Sequence, residues 1–316
     1  YFSEDPYASG KMAASFINGL EGQGTGSSLK HFACNSQEHN RFMSDSIIDE
    51  RTLREIYLSA FEIAVKEGRP SSVMCAYPKI NGVHCSDNKE LLTEILRKDW
   101  GFEGFVITDW SAMNDRLMGF EAGCDLSMPG GSDYMEKDVL AAVSSGLLRE
   151  EKINESVKRI LRFIFKADTT LQEKTDNCLE EHHNIAVEAA VKGSVLLKNE
   201  DDVLPGDLSK EKIAIVGYFA KEMRYQGAGS SHINPSKLSQ PIDYFGDCDY
   251  AQGYLEDGST TDTLLDEVIE VSSRSDKVVI FAGVPASYES EGFDRGTMSM
   301  SEGHVKVIEA AVRVNR

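Results

Sequence analysis

The sequence predicts an α/β chain with two parallel sheets. Three observations carry this. Short apolar runs alternate with helix-period segments through the first half. Polar residues (Lys30 and His31, Tyr77, Asp109, Asp125) stand at or near the ends of those runs. After residue 200, two more apolar runs, each ending in glycine, flank a helical segment.

The elements follow in order. Residues 5–20 read as a helix with Pro6 in its first turn. Residues 28–34 form a short strand. Residues 49–66 form an amphipathic helix, with Leu53, Ile56, Tyr57, Ala60, Phe61 and Ala64 at i, i+3, i+4 spacing. Strands are expected at 72–77, 104–109 and 124–128, helices at 88–99, 112–121, 133–145 and 149–166, and a stop at Pro129-Gly130-Gly131. Four parallel strands with covering helices amount to half of a (β/α)8 barrel, whose strand ends form the active face. Residues 168–181 are polar and acidic and read as a linker, followed by a helix at 182–192 and a turn-rich stretch at 199–207. Strands at 212–217 and 277–283, with a helix at 261–273 between them, open a second α/β unit, and the chain stops inside an amphipathic helix ending at Arg316. The domains are therefore 1–167, a linker over 168–193, and 194–316.

The 316 residues carry 52 Asp and Glu against 33 Lys and Arg, a net charge of −19. Clustered cations are absent, which argues against nucleic acid and anionic membranes as partners. No apolar run reaches the ~18 residues that span a bilayer. Six widely spaced cysteines without a CxxC pair fit reduced thiols and point to the cytoplasm. The adjacent His182 and His183 have no metal-ligand spacing, so no metal is expected.

Asp109 ends a continuous apolar run, where an unpaired carboxylate costs several kcal/mol to bury. Either it is a functional carboxylate at a strand tip, or it caps the next helix. Lys30 and His31, followed by Asn35, Gln37, Glu38 and Arg41, form either a hydroxyl-binding cluster or a surface ion-pair set. Glu289, Glu291 and Asp294 are either a solvated acidic loop or the source of a second catalytic carboxylate, since retaining glycoside hydrolysis needs a pair about 5–5.5 Å apart. Gly227-Ala228-Gly229-Ser230-Ser231 lacks the GK[ST] ending of a phosphate cradle.

Together these motifs resemble glycoside hydrolase family 3, β-glucosidase type. Lys30-His31-Phe32 with Asn35, Gln37, Glu38 and Arg41 is similar to its KHF…N.QE..R block, and residues 50–58 to its ERTLREIYL helix. Residues 100–110 resemble WGFxGxVxSDW, with Thr108 for Ser. Residues 122–129 resemble AGxDxxMP, 195–199 VLLKN, and 289–295 ESEGxDR. Tyr1-Phe2-Ser3-Glu4-Asp5-Pro6 is similar to the segment after the family's sugar-binding arginine.

The resemblance implies the C-terminal half of a (β/α)8 TIM-like barrel, followed by the first part of an (α/β)6-type sandwich. It implies a retaining, exo-acting β-glucosidase acting without a cofactor. Asp109 would be the nucleophile and Glu291, from the second domain, the acid/base, with Glu289 as the fallback acid. Lys30, His31 and Arg41 would hold sugar hydroxyls, Met74, Tyr77 and Trp110 would shape the subsite, and Ser230 would reach it from domain two. The partner is a β-glucoside or related oligosaccharide. A β-xyloside is close behind, because a pocket discriminates poorly against one missing hydroxymethyl group. A homo-oligomer is compatible with this reading. Two departures stand out: Pro78 follows Tyr77 where the family has Asn, and Met300-Ser301 replaces a Leu-Pro step. The other readings are a non-catalytic sugar-binding relative and a nucleotide-dependent enzyme using the loop at 227–231.

The family's first barrel strands would precede Tyr1, and the rest of its second domain would follow Arg316. Half a barrel exposes sheet edges and uncovered core. The isolated 316-residue chain is therefore expected to be unstable or inactive, and normal glucosidase turnover together with a normal cooperative melt on that chain would refute the expectation.

Overall fold

The structure, a computed structural model, describes residues 2–130, 133–169 and 178–315. Tyr1, Gly131, Ser132, residues 170–177 of the expected linker and Arg316 lie outside the described residues. The chain divides into two compact units, Tyr1–Thr175 and Asp176–Arg316.

In unit one, helix α1 (Pro6–Gly22) is capped by Asp5, whose Oδ1 accepts the Tyr7 N–H at 2.8 Å. The strands are β1 (Ser28–Phe32), β2 (Asp45–Ser46), β3 (Ser72–Cys75), β4 (Lys79–Ile80), β5 (Val83–His84) and β6 (Phe105–Thr108). β1, β3 and β6 form a parallel sheet in the order β1-β3-β6. β3 and β6 run in unbroken register from Ser72↔Phe105 to Cys75↔Thr108, whereas β1 and β3 slip between Leu29 and Phe32. The expected helix at 49–66 runs over 50–68 as α2 (Glu50–Thr52) and α3 (Ser59–Ile63), each followed by a π-helical turn, Leu53–Tyr57 and Ala64–Gly68. Helix Glu90–Asp99 is also π-helical. α4 (Arg116–Ala122), α5 (Asp133–Ser144) and α6 (Glu150–Asp168) complete the unit. Val73, Cys75 and Val106 bury one sheet face against Leu53, Leu58, Leu92, Ile95 and Leu96.

Two expectations are corrected here. The strand expected at 124–128 reduces to a single bridge, Ile107↔Leu126. The reason is Asp125, which turns inward from the active strand ends. Its side chain is 0 % exposed and accepts from Arg97 Nη2, Arg159 Nη1 and the Val106 N–H, each at 2.8 Å. Three donors offset the desolvation of this carboxylate. Helix α4 begins at an Asp115 cap, later than expected. The small sheet β2-β4-β5 is an addition, and its β4–β5 hairpin turns at Asn81 (φ 50) and Gly82 (φ 88).

Glu21, near the end of α1, ties the beginnings of two strands together. Its carboxylate accepts from the Ser27 N–H (2.9 Å) and hydroxyl (2.8 Å), from the Ser71 N–H (2.8 Å) and hydroxyl (2.9 Å), and from Lys166 Nζ (3.0 Å). Burial alone would raise its pKa, yet these donors hold it down to about 2.

In unit two, α7 (Leu179–Gly193) starts three residues before the expected helix. β7 (Ile213–Val216), β8 (Asp249–Ala251) and β9 (Lys277–Ile280) form a parallel sheet in the order β8-β7-β9. α8 (Asp262–Ser273), capped by Thr261, and α9 (Glu302–Val314) pack Val268, Val271, Val307 and Ala310 against Ala214 and Val216. Ile213 and Ile215 face the other way, onto Ile242, Phe245 and Cys248. β8 is an element the sequence reading did not find. His304 on α9 is 1 % exposed, set edge-on against Tyr254 with ring centroids 3.9 Å apart, and neither ring nitrogen has a hydrogen-bond partner.

Two stability predictions follow from these buried groups. Because the folded pKa of Glu21 lies below its ordinary value, its contribution is present above about pH 4.5 and lost as pH falls toward 2. Glu21→Gln is expected to cost on the order of 3 kcal/mol at pH 7 and to approach wild-type stability near pH 2, read by denaturant melts across pH. Burial pushes the His304 pKa down, so its stability is complete above about pH 6.5 and falls as pH drops below that value. His304→Leu is expected to melt no lower than wild type at pH 7 and to lose less between pH 7 and pH 5, since it removes two unpaired buried nitrogens.

Candidate active site

β6 is buried along its whole length. The parallel ladder continues one residue further, with the Asp109 N–H donating to the Cys75 carbonyl at 3.1 Å. The chain then turns sharply. The Ala112 N–H returns to the Asp109 carbonyl at 3.0 Å, and Ser111 adopts φ 66. Since Asp115 caps the following helix, the capping role considered for Asp109 is excluded.

The Asp109 side chain is 16 % exposed and held from two sides. Its Oδ1 accepts the Trp110 N–H at 2.6 Å and lies 3.0 Å from the Tyr77 hydroxyl. The same hydroxyl is 3.0 Å from the Trp110 carbonyl, so its one proton serves the Asp109–Trp110 corner as a whole. Oδ2 faces His31 Nε2 at 3.3 Å. Burial pushes the His31 pKa down. Asp109 and Glu38 pull it up, while Lys30 and Arg41 push it further down. With its proton on Nε2, a neutral His31 donates to Oδ2.

Arg41 lies over the Tyr77 ring, its guanidinium carbon 4.6 Å from the centroid, and pairs with Glu38 at 2.7 Å. Phe42 packs on the same ring at 4.3 Å. Trp110 is 61 % exposed beside the carboxylate. The structure thus brings together Lys30, His31, Arg41, Tyr77, Asp109 and Trp110. Met74 lies on β3 in register with Ile107, two residues before Asp109 on the neighbouring strand. Glu38 and Phe42 support Tyr77 and Arg41 in a way the sequence reading missed. The i, i+3 spacing of Glu38 and Arg41 was the available signal.

In unit two, Glu291 Oε2 accepts the Ser230 N–H at 2.6 Å. The Gly-rich loop therefore cradles a carboxylate of its own chain, which speaks against a phosphate site there. Glu289 Oε1 lies 3.6 Å from Arg224 Nη1, and that guanidinium also donates to the Val284 carbonyl at 2.7 Å. These residues flank a cavity of about 540 Å³ lined also by Phe219, Tyr225 and Gly283. Among the described residues, no three His, Cys, Asp or Glu side chains are arranged to hold a metal, and no helix is long and apolar enough to cross a membrane.

Asp109 thus stands at a strand end of unit one beside a tyrosine hydroxyl and an imidazole, and Glu291 sits on a glycine-rich turn of unit two. The chain belongs to glycosyl hydrolase family 3: residues 1–163 match its N-terminal domain and residues 194–316 its C-terminal domain. It is 49 % identical to thermostable beta-glucosidase B of Acetivibrio thermocellus over 99 % of this chain and 42 % of that protein. It is 38 % identical to an exo-alpha-(1->6)-L-arabinopyranosidase of Bifidobacterium longum over 100 % of this chain and 43 % of that one. The GH3 beta-glucosidase of Bifidobacterium adolescentis superposes with a TM-score of 0.94 at 38 % identity, over 100 % of this chain and 47 % of that one. Beta-glucosidase 3B of Thermotoga neapolitana, in complex with glucose, gives 0.87 at 33 % identity, over 99 % and 48 %. The chain spans less than half the length of these curated relatives.

Proposed function

We propose that the protein is a retaining, exo-acting β-glucosidase with Asp109 as nucleophile and Glu291 as acid/base. The observation that carries this is the Asp109 corner. A carboxylate excluded from capping is fixed by Tyr77 and the Trp110 N–H on one oxygen, and its other oxygen faces His31. The family membership and the β-glucosidase relatives support the same reading.

In the first step an Asp109 oxygen attacks the anomeric carbon while the bond to the leaving oxygen breaks, and Glu291 gives that oxygen its proton. A glycosyl ester and a free alcohol result. In the second step water attacks the same carbon, its proton passes to Glu291, and the ester bond breaks to regenerate the Asp109 carboxylate. Lys30, His31 and Arg41 bind sugar hydroxyls, Met74 and Tyr77 shape the pocket, and Trp110 offers its apolar face to the ring. Ser230 contacts the substrate from the second domain. Glu289 is the weaker candidate for the acid because it is engaged by Arg224.

The architecture that fits is the second half of a (β/α)8 barrel over 1–167, a linker over 168–193, and the start of an (α/β)6-type sandwich over 194–316. Cysteines outside any disulfide support a reducing compartment, the cytoplasm. The arabinopyranosidase relatives favour a second reading, in which the sugar is a pentopyranose.

A 2-deoxy-2-fluoroglucoside is expected to label the protein covalently on the peptide containing Asp109. A label on any other residue refutes the assignment. Glu291→Ala is expected to lose about 10²–10⁴-fold in turnover of alkyl glucosides and to recover with azide on activated aryl glucosides. Comparing glucoside, xyloside and arabinopyranoside substrates on the same protein decides the sugar.

A further inference from the structure

We propose that the Gly229–Ser230 turn is the positioning element of Glu291, an inference that rests on the acid/base reading above. Two independent features converge on this carboxylate. First, the Ser230 N–H donates to Oε2 at 2.6 Å, from a turn (Gly229–Ser231) that Gly229 enters with φ 78. Second, Gly229 has no room for a side chain. A Cβ there would collide with Oε2 of Glu291, stand 2.6 Å from its Cβ and 3.0 Å from its Cδ. The carboxylate thus lies directly against the bare α-carbon. Gly227, two residues earlier, is different. The nearest atom to a Cβ there is Ser231 Oγ at 3.7 Å, and its φ lies outside the left-handed region.

This arrangement suits a group that must work in both protonation states. A backbone N–H asks only for a lone pair, which Oε2 supplies whether the carboxyl is neutral or ionised. The bond therefore survives both proton transfers. A backbone donor also brings no titration of its own and no rotamer to lose. Glycine at 229 lets the carboxylate approach this closely and provides the positive φ at no steric cost.

The test is a mutant cycle on the protein, with Gly227→Ala as the control. Gly229→Ala is expected to lower kcat/KM by about 10²-fold for an alkyl glucoside, whose leaving group needs the proton. For a 2,4-dinitrophenyl glucoside, whose leaving group does not, the loss is expected to stay below about tenfold. Gly227→Ala is expected to behave as wild type. Should Gly229→Ala fold poorly, the cycle in a Glu291→Gly background decides, because Glu291 Cβ, Cδ and Oε2 are all absent there. Gly229→Ala added to Glu291→Gly is expected to change neither residual activity nor melting temperature beyond the modest effect of the positive φ. Equal losses for both leaving groups, or the same damage in the presence and absence of Glu291, overturn the positioning role. If Glu291→Ala itself shows no leaving-group dependence and no azide rescue, it is the acid/base reading that fails.

Discussion

The sheet of unit one hangs on one buried carboxylate. The Asp125 side chain has no solvent exposure, and it spends one oxygen on the Val106 amide of β6 as well as on Arg97. Arg97 comes from helix Glu90–Asp99 and Arg159 from α6, so three elements meet on a single side chain. Depriving a buried ion of its partner costs about 3–5 kcal/mol. β6 is therefore clamped where it begins, and the residue it delivers at its other end is Asp109. The chain thus separates two tasks between two aspartates sixteen positions apart: the interior one fixes the strand, and the one at the tip meets solvent.

The same logic governs the surroundings of Asp109. Tyr77, which touches it, is itself held by groups that do not. Tyr77 packs against both Arg41 and Phe42, and Arg41 in turn is paired to Glu38. Locking contacting side chains through neighbours keeps a site within the tolerance that chemistry demands. Unit two uses a different device for Glu291, a backbone donor on a glycine turn. Backbone is the stiffer support.

Much of this was readable from residues alone, and the failures have physical causes. The strands over 72–77 and 104–109 were found because fully buried parallel strands are continuous apolar runs. The segment 124–128, Cys124-Asp125-Leu126-Ser127-Met128, alternates apolar and polar residues instead; its Asp125 is turned onto two arginines, and only one bridge forms. Composition cannot reveal a partner that arrives from 28 or 34 residues away. The sheet at 45–46, 79–80 and 83–84 has too few residues for any periodicity, although Asn81-Gly82 carried a hairpin signal that went unused. β8 is three residues long and half polar, Asp249-Tyr250-Ala251, and its pairing with β7 supplies what its own pattern lacks. For the site, the identities of Asp109 and Glu291 came from resemblance. Their supports came only from coordinates, since neither the seat of Glu291 on Gly229 nor the stacking of Phe42 on Tyr77 leaves a trace in spacing.

Four of the six sulfurs, Cys34, Cys75, Cys85 and Cys124, are sealed in unit one, while Cys178 is exposed and Cys248 partly so. Burial drives the Cys34 and Cys85 thiols up to about 12, and a hydrogen bond with Cys124 together with burial drives Cys75 well above its ordinary value, so none of these three is a competent nucleophile while enclosed. Cys75 sits on β3, and its carbonyl receives the Asp109 amide. Alkylation at this position thus requires the strands beneath Asp109 to separate. The rate at which a maleimide consumes that sulfur, set against the prompt reaction at 178, is an intrinsic clock for breathing of the sheet, available without introducing any foreign probe.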